Sequence, residues 1–334
     1  AAATPPGLKP FADLVKDAQR TDGLFPLWQK DEKVWLEIAP DQLDQPYFFA
    51  FSRTRGLGES RFYGNWMLDE YIVEFHRVGN LVQLIAKNER YTTGDNAPLA
   101  RALRNSFTDS LLAAGAVVSA PHPERKTILV EANALFLSDI PSLTPQLEGV
   151  YRLPYTFDAR NSSFVALRGT PDMTSFEVSA LYAVPRLPAP PAGPVPPGTR
   201  LPTVPETLID GRNMFIGYHY SLAKLPAPLM RPRAADDRVG HFVTRRWDFA
   251  DETDTRPVRY YVNRWRLDKK DPAAALSEPV KPIVFWLDRN IPERYRETVK
   301  QGVLEWNKAF ERIGFKDAIK VEIQPDNADF DLAD

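Results

Sequence analysis

The chain has 334 residues, 43% of them hydrophobic, and a formal net charge of −2 at pH 7. That length allows two or three domains with cores of their own, and the near-balanced charge leaves no broad basic field for nucleic acid or an anionic membrane. The absence of cysteine rules out disulfides, thiolate zinc sites and cysteine nucleophiles, and without a run of about 18 apolar residues no transmembrane helix is expected.

The first seven residues, Ala1-Ala2-Ala3-Thr4-Pro5-Pro6-Gly7, are small or helix-breaking. They suit the segment that follows a removed secretory signal, so export to the periplasm or the medium is the expectation. Residues 8–20 read as a short helix with Phe11, Leu14 and Val15 on one side. Residues 34–38 and 47–51 are aromatic and β-branched and read as strands. Residues 70–78 and 81–85 flank Gly79-Asn80, whose tolerance of positive φ predicts a hairpin turn. A strand at 127–131 is followed by a short helix at 132–140, stopped by Pro141.

Residues 150–153, 164–168 and 175–184 read as further strands. In the last, Phe176, Val178, Ala180, Tyr182 and Val184 alternate, the period of a half-buried strand. Residues 185–205 are proline-rich, which predicts a linker or a long excursion between two strands of one sheet. Strands at 213–220, 241–247 and 258–265 follow, with Asp251-Glu252-Thr253-Asp254 as an exposed turn. Residues 282–287 form an apolar run typical of a buried strand. Asn290 and Glu293 are spaced as a capping box. Tyr295, Val299, Val303, Trp306, Phe310 and Ile313 then mark one amphipathic helix, with Gly314 as its stop. Ile319, Val321 and Ile323 alternate in a last strand.

The expected organisation is α+β. Residues 1–20 form a helical segment, 21–184 a β-rich domain of sandwich- or barrel-like antiparallel sheets, and 185–205 a proline-rich linker or loop. Residues 206–275 continue the β-rich part, and 276–334 open a further domain with one strand–helix–strand unit. That unit, with its apolar strand edge and unfinished core, calls for a partner segment.

A metalloprotease helix needs two histidines one turn apart with a glutamate between, so that both imidazoles reach one zinc and the glutamate deprotonates its water. His76, His122, His219 and His241 show no such spacing. His76 and His219 read as surface or satisfied strand positions, His122 as a loop residue, and His241 as a strand start. Asp326, Asp329, Asp331 and Asp334 read as a solvated acidic tail, since the glycine and terminal glutamate of a calcium loop are missing. Gly56-Leu57-Gly58 reads as a turn, Arg53, Arg55 and Arg61 around it as a solvated basic face, and Asn161-Ser162-Ser163 matches a glycosylation acceptor by spacing alone. No catalytic, cofactor-binding or metal-ligating residue is assigned.

Several segments resemble a bacterial family of large, exported zinc-dependent metalloproteases with a met-zincin catalytic domain. Near the start these are Gly23-Leu24-Phe25 and Trp35-Leu36-Glu37-Ile38. Later come the stretch His219-Tyr220-Ser221-Leu222-Ala223-Lys224-Leu225-Pro226, then Arg231-Pro232-Arg233 and Asp237-Arg238-Val239-Gly240. The most specific part is residues 261–315, with Asn263-Arg264-Trp265, Lys269-Lys270-Asp271-Pro272, and Gln301-Gly302-Val303-Leu304-Glu305-Trp306-Asn307. The resemblance implies that residues 276–334 begin a metzincin-like α/β catalytic domain. The zinc motif and Met-turn would come later, in a C-terminal catalytic segment that is the expected partner. Zinc would then belong to the parent enzyme and not to this chain alone, and the substrate would be a protein or peptide. The residues leave two other roles open: a β-rich binding module for a surface polymer or partner protein, and an inhibitory prodomain.

Overall fold

The computed structural model describes residues 8–94, 97–189, 191, 193–251, 253–328, 330 and 332. Residues 1–7, Glu252 of the expected turn, and Asp329, Asp331 and Asp334 of the acidic tail lie outside the described residues. The fold is α+β and β-rich, as its residue pattern implies. It has two compact units, divided between Ala227 and Pro228.

The first unit opens with α1 (Phe11–Val15), β1 (Gln19–Thr21), β2 (Leu27–Lys30), β3 (Lys33–Ile38) and β4 (Tyr47–Arg55). Then come β5 (Trp66–Val78), β6 (Leu81–Ala86), the short β7 (Tyr91–Thr92), α2 (Ala97–Ser106), β8 (Ser110–Ala116) and β9 (Ile128–Glu131). It closes with α3 (Ala132–Phe136), α4 (Leu143–Tyr151), β10 (Thr156–Thr170), β11 (Met173–Ala183) and β12 (Asn213–Lys224). A curled seven-stranded antiparallel sheet runs in the order β10-β11-β12-β4-β5-β6-β8, and a four-stranded antiparallel sheet in the order β1-β2-β3-β9.

The two sheets share one core. Strand parity aims Tyr47, Phe49 and Phe51 of β4, Val73 and Phe75 of β5, and Phe176, Val178, Ala180 and Tyr182 of β11 inward. They meet Leu27, Leu36 and Ile38 from the smaller sheet. α3 places Phe136 at the centre, 4.5 Å from the ring of Phe176 and 6.4 Å from those of Phe49 and Tyr220. The other face of the smaller sheet carries Trp35 and Leu129, covered by Phe11 of α1. Thr174 of β11 stitches the layers: its hydroxyl accepts from the Phe25 N–H and donates to the Phe25 carbonyl, both at 2.9 Å.

The Gly79-Asn80 hairpin forms as expected, with Val78 paired to Leu81 and Gly79 at φ 60°. Five local readings are corrected. The expected helix 8–20 is only Phe11–Val15; Asp17 turns to φ 63° and the chain pairs as β1. The expected helix 132–140 stops at Phe136. Residues 150–153 are no strand: Leu143, Leu147 and Tyr151 recur every four residues and bury one face of α4. That helix is capped from a distance by Asp139, whose carboxylate accepts the N–H groups of Leu143 and Thr144 at 2.8 and 2.9 Å. The proline-rich residues 185–205 are an excursion, because β11 and β12 on either side pair along their whole length. The compact units therefore divide later than that stretch and earlier than residue 276.

The second unit contains β13 (Val243–Asp248) and β14 (Val258–Val262), which pair antiparallel. These are followed by β15 (Ile283–Leu287), α5 (Glu293–Leu304), α6 (Asn307–Arg312) and β16 (Ile319–Ile323). β15 and β16 pair in parallel, so residues 283–323 are a strand–helix–strand crossover. Here the last two local readings change. Asn290 does not cap; its N–H is held by Asp288, and the helix starts after Pro292. The single stripe from Tyr295 to Ile313 is split between α5 and α6. The Asn307 amide holds the turn by bonding both the N–H and the carbonyl of Ile319, at 2.8 and 3.0 Å. Among the described residues, no helix is long and apolar enough to cross a membrane.

Candidate functional site

The first unit has an open cleft of about 500 Å³ whose walls include Arg20, Glu37, Asp41, Tyr47, Arg125 and Lys224. β3 carries Glu37 to the cleft floor because its period of two sets it beside Trp35, on the face opposite Leu36. Glu37 is 2% exposed. One carboxylate oxygen accepts from the Thr127 hydroxyl at 2.7 Å and from Nη2 and Nε of Arg125 at 2.9 and 3.1 Å; the other accepts from Trp28 Nε1 at 2.8 Å. Burial pushes the carboxyl pKa up. The hydrogen bonds from Thr127, Trp28 and Arg125, with the charge of Arg125, outweigh it and hold the pKa below the usual value. Glu37 is therefore a fixed anion that ties β2, β3 and the 122–127 turn together.

The cations of the wall are likewise engaged. Arg20 pairs with Asp22 at 2.6 Å, Lys224 with Asp172 at 3.3 Å, and Arg125 with Glu37. Burial, with the nearby Asp41 charge, raises the Tyr47 hydroxyl to about 12, so it stays neutral and donates to the Gln42 carbonyl at 3.1 Å. The cleft offers fixed hydrogen-bonding groups and no poised acid, base or nucleophile among these residues. Its walls include one tyrosine and no tryptophan.

The three histidines of the first unit do not converge on one point. The Nδ1 of His76 meets Asp44 at 2.6 Å on the surface. The Nδ1 of His122 accepts the N–H groups of Glu124 and Arg125, and its ring lies edge-on to Phe11 at 5.0 Å. His219 is buried on β12 beside its cross-strand neighbour Ser52, and His241 is exposed before β13. Among the described residues, no three His, Cys, Asp or Glu side chains are placed to hold a metal ion. None of the described residues is assigned to a zinc site.

The basic cluster expected on a solvated face is corrected at one position. Arg55 and Arg61 are exposed, but Arg53 shares the inward parity of Tyr47, Phe49 and Phe51 and is 4% exposed. It is the cross-strand neighbour of Tyr218. Beside it, the Tyr182 hydroxyl donates to Asp139 at 2.8 Å and lies 3.2 Å from that of Tyr218. Burial drives the Tyr182 and Tyr218 pKa values far up, so both phenols stay neutral. Residues 56–65 adjoin this cluster as a tight loop. A Cβ on Gly56 would meet the Phe62 carbonyl oxygen at 2.0 Å, so this position requires glycine.

The second unit presents a surface of another kind. α5 buries none of its residues, and the hydrophobic core clusters contain nothing beyond Leu222. Phe285 and Trp286 on β15, Ile323 on β16, and Trp306 and Ile313 of the expected stripe are exposed, Trp306 by 64% and Ile313 by 65%. Phe285 and Trp286 are successive residues of β15, so apolar side chains are exposed on both faces of the β15–β16 pair.

A family model described as Domain of unknown function (DUF5117) matches residues 65–270, more than half of the chain, and the chain belongs to that family. No curated protein and no solved structure matches it. The matched stretch takes in Asp139, Tyr182 and Tyr218; Glu37, Arg53 and the 283–323 crossover lie outside it.

Proposed function

We propose that this chain is the non-catalytic N-terminal part of an exported zinc-dependent metalloendopeptidase. Its β-rich first unit supports or regulates a protease domain whose opening strand–helix–strand is residues 283–323. A C-terminal segment carrying the zinc motif covers α5 and the apolar residues of β15 and β16, and a protein or peptide is the substrate. The observation that carries this reading is a parallel crossover whose twelve-residue helix buries no side chain. Parallel strands occur almost only in sheets covered on both faces, and this pair is left with Val284, Phe285 and Trp286 between 42% and 46% exposed. The resemblance of residues 261–315 to the start of a met-zincin catalytic domain supports the same reading.

The uncovered crossover also makes a local prediction. In the isolated chain, amide protons of α5 and β16 exchange near the local-fluctuation limit, while those of β11 and β12 exchange only through global opening. Protease cleavage begins within residues 283–323. Exchange protection of α5 equal to that of β11 would mean the crossover is already complete, and the reading would lose its main support.

A further inference from the structure

The cleft and the crossover leave one feature of the second unit unused, an open hollow of about 320 Å³ that Arg231, Arg264 and Arg266 line together with Asp268. Arg264 and Arg266 reach back to the stretch that opens this unit. Nη2 of Arg264 donates to the Arg231 carbonyl at 3.0 Å, and Nη2 of Arg266 donates to the Pro228 carbonyl. Both acceptors belong to residues of the same wall, so the two guanidiniums are held at the hollow. Their other N–H groups, and the whole Arg231 guanidinium, have no partner among the described residues.

The charges of this wall are not balanced within it. Elsewhere in the unit arginines carry their own acids: Arg238 pairs with Asp236 at 2.6 Å, and Arg259 with Asp254. Among the described residues none of Arg231, Arg264 and Arg266 forms an ion pair, with Asp268 or with any other acid. A guanidinium keeps its proton in a protein, so three positive charges face one negative charge. The excess matches an anion that carries two charges. Guanidinium forks suit carboxylate and phosphate oxygens alike, and the doubled charge favours phosphate. The wall also has an apolar part, Leu229, Met230 and Leu267. The hollow has the volume of roughly ten waters, which leaves room for an apolar substituent beside a five-atom phosphate.

We propose that this hollow is a site for a phosphate monoester with a small apolar substituent. Arg231, Arg264 and Arg266 hold the phosphate oxygens in charge-assisted bonds, and Leu229, Met230 and Leu267 pack on the substituent. The Asp268 carboxylate repels the anion and limits its affinity.

The test is calorimetric titration of the full chain, at one ionic strength, with phenyl phosphate, inorganic phosphate and benzoate. The expected result is saturable binding of phenyl phosphate. Benzoate, with the same ring and one charge, should bind about tenfold more weakly, and inorganic phosphate more weakly for want of the ring. Arg231→Met removes a guanidinium without a partner in the fold, so it should keep the Tm and bind phenyl phosphate about tenfold more weakly. Asp268→Asn should bind it more tightly. Arg238→Met removes a paired arginine of the same unit and should leave binding unchanged. No saturable heat with phenyl phosphate would overturn the proposal. So would benzoate or inorganic phosphate binding as tightly, undiminished binding in Arg231→Met, or an equal loss in Arg238→Met, which would reduce the effect to diffuse surface charge.

Discussion

Replacing Phe136 by alanine is expected to destabilise the first unit by about 3–5 kcal/mol, the largest effect of any single side-chain truncation considered. The ring is fully buried and sits where the two sheets meet, packed on Phe49, Phe176 and Tyr220. It comes from a five-residue helix anchored near its start, since Asn133 bonds the Val34 N–H and the Glu32 carbonyl. The surrounding strands are tied by ladder hydrogen bonds and cannot close over the space, so the cavity term adds to the lost transfer energy. Equilibrium urea unfolding measures it. Phe136→Leu should cost well under half as much, because most of the volume is kept. A loss below about 1 kcal/mol for the alanine variant would mean that this is not the centre of the core.

The second large effect belongs to Glu37. Glu37→Ala removes the acceptor for Trp28 Nε1, the Thr127 hydroxyl and Arg125 together. A loss of about 3 kcal/mol is expected, because buried donors are left unsatisfied. Arg125→Met should cost far less, about 1 kcal/mol, since the Arg125 side chain is 48% exposed and is partly solvated already. The pair also sets a pH dependence. The folded-state pKa of Glu37 is depressed, so its contribution is complete above the ordinary glutamate value of about 4.3. It is lost as pH falls through the lower folded value. Stability measured from pH 7 downward should therefore drop below about pH 4.3, and Glu37→Gln should flatten part of that drop. An unchanged pH profile in the glutamine variant would contradict the assignment.

Much of the first unit was legible because local signals and packing agree. In β11 the alternation of Phe176, Val178, Ala180 and Tyr182 is the burial pattern itself, and Gly79-Asn80 turns where its backbone freedom allows. The parallel crossover at 283–323 was legible from its apolar run and helical spacing. The failures share one cause, contacts made by residues just outside the segment whose own pattern is read. Residues 150–153 look extended from their own side chains, and become the end of α4 because Leu143 and Leu147 complete a buried face and Asp139 caps it from outside. Asn290 has the spacing of a cap, but its own N–H is held by Asp288 and the helix starts after Pro292 with no side-chain cap.

At the candidate site the visible signal was overlooked in one place. Arg53 reads as one of three surface arginines when charges are counted, yet the step of two from Tyr47 through Phe49 and Phe51 already aims it inward. Glu37 carries no such signal, since the same parity sets it with Lys33 and Trp35 on the face opposite Leu36. What no local pattern gives is the company these side chains keep, since Thr127 and Arg125 reach Glu37 from about 90 residues away in the chain.

The central claim, that a zinc-bearing segment completes the 283–323 crossover, is tested most directly by intact mass and zinc content of the protein isolated from its native source. The account predicts that a polypeptide bearing an H-E-x-x-H helix accompanies these residues, as the same chain or as a bound fragment, with about one zinc per complex. Isolation as a 37.8 kDa chain alone, free of zinc and with α5 protected from exchange, would contradict it.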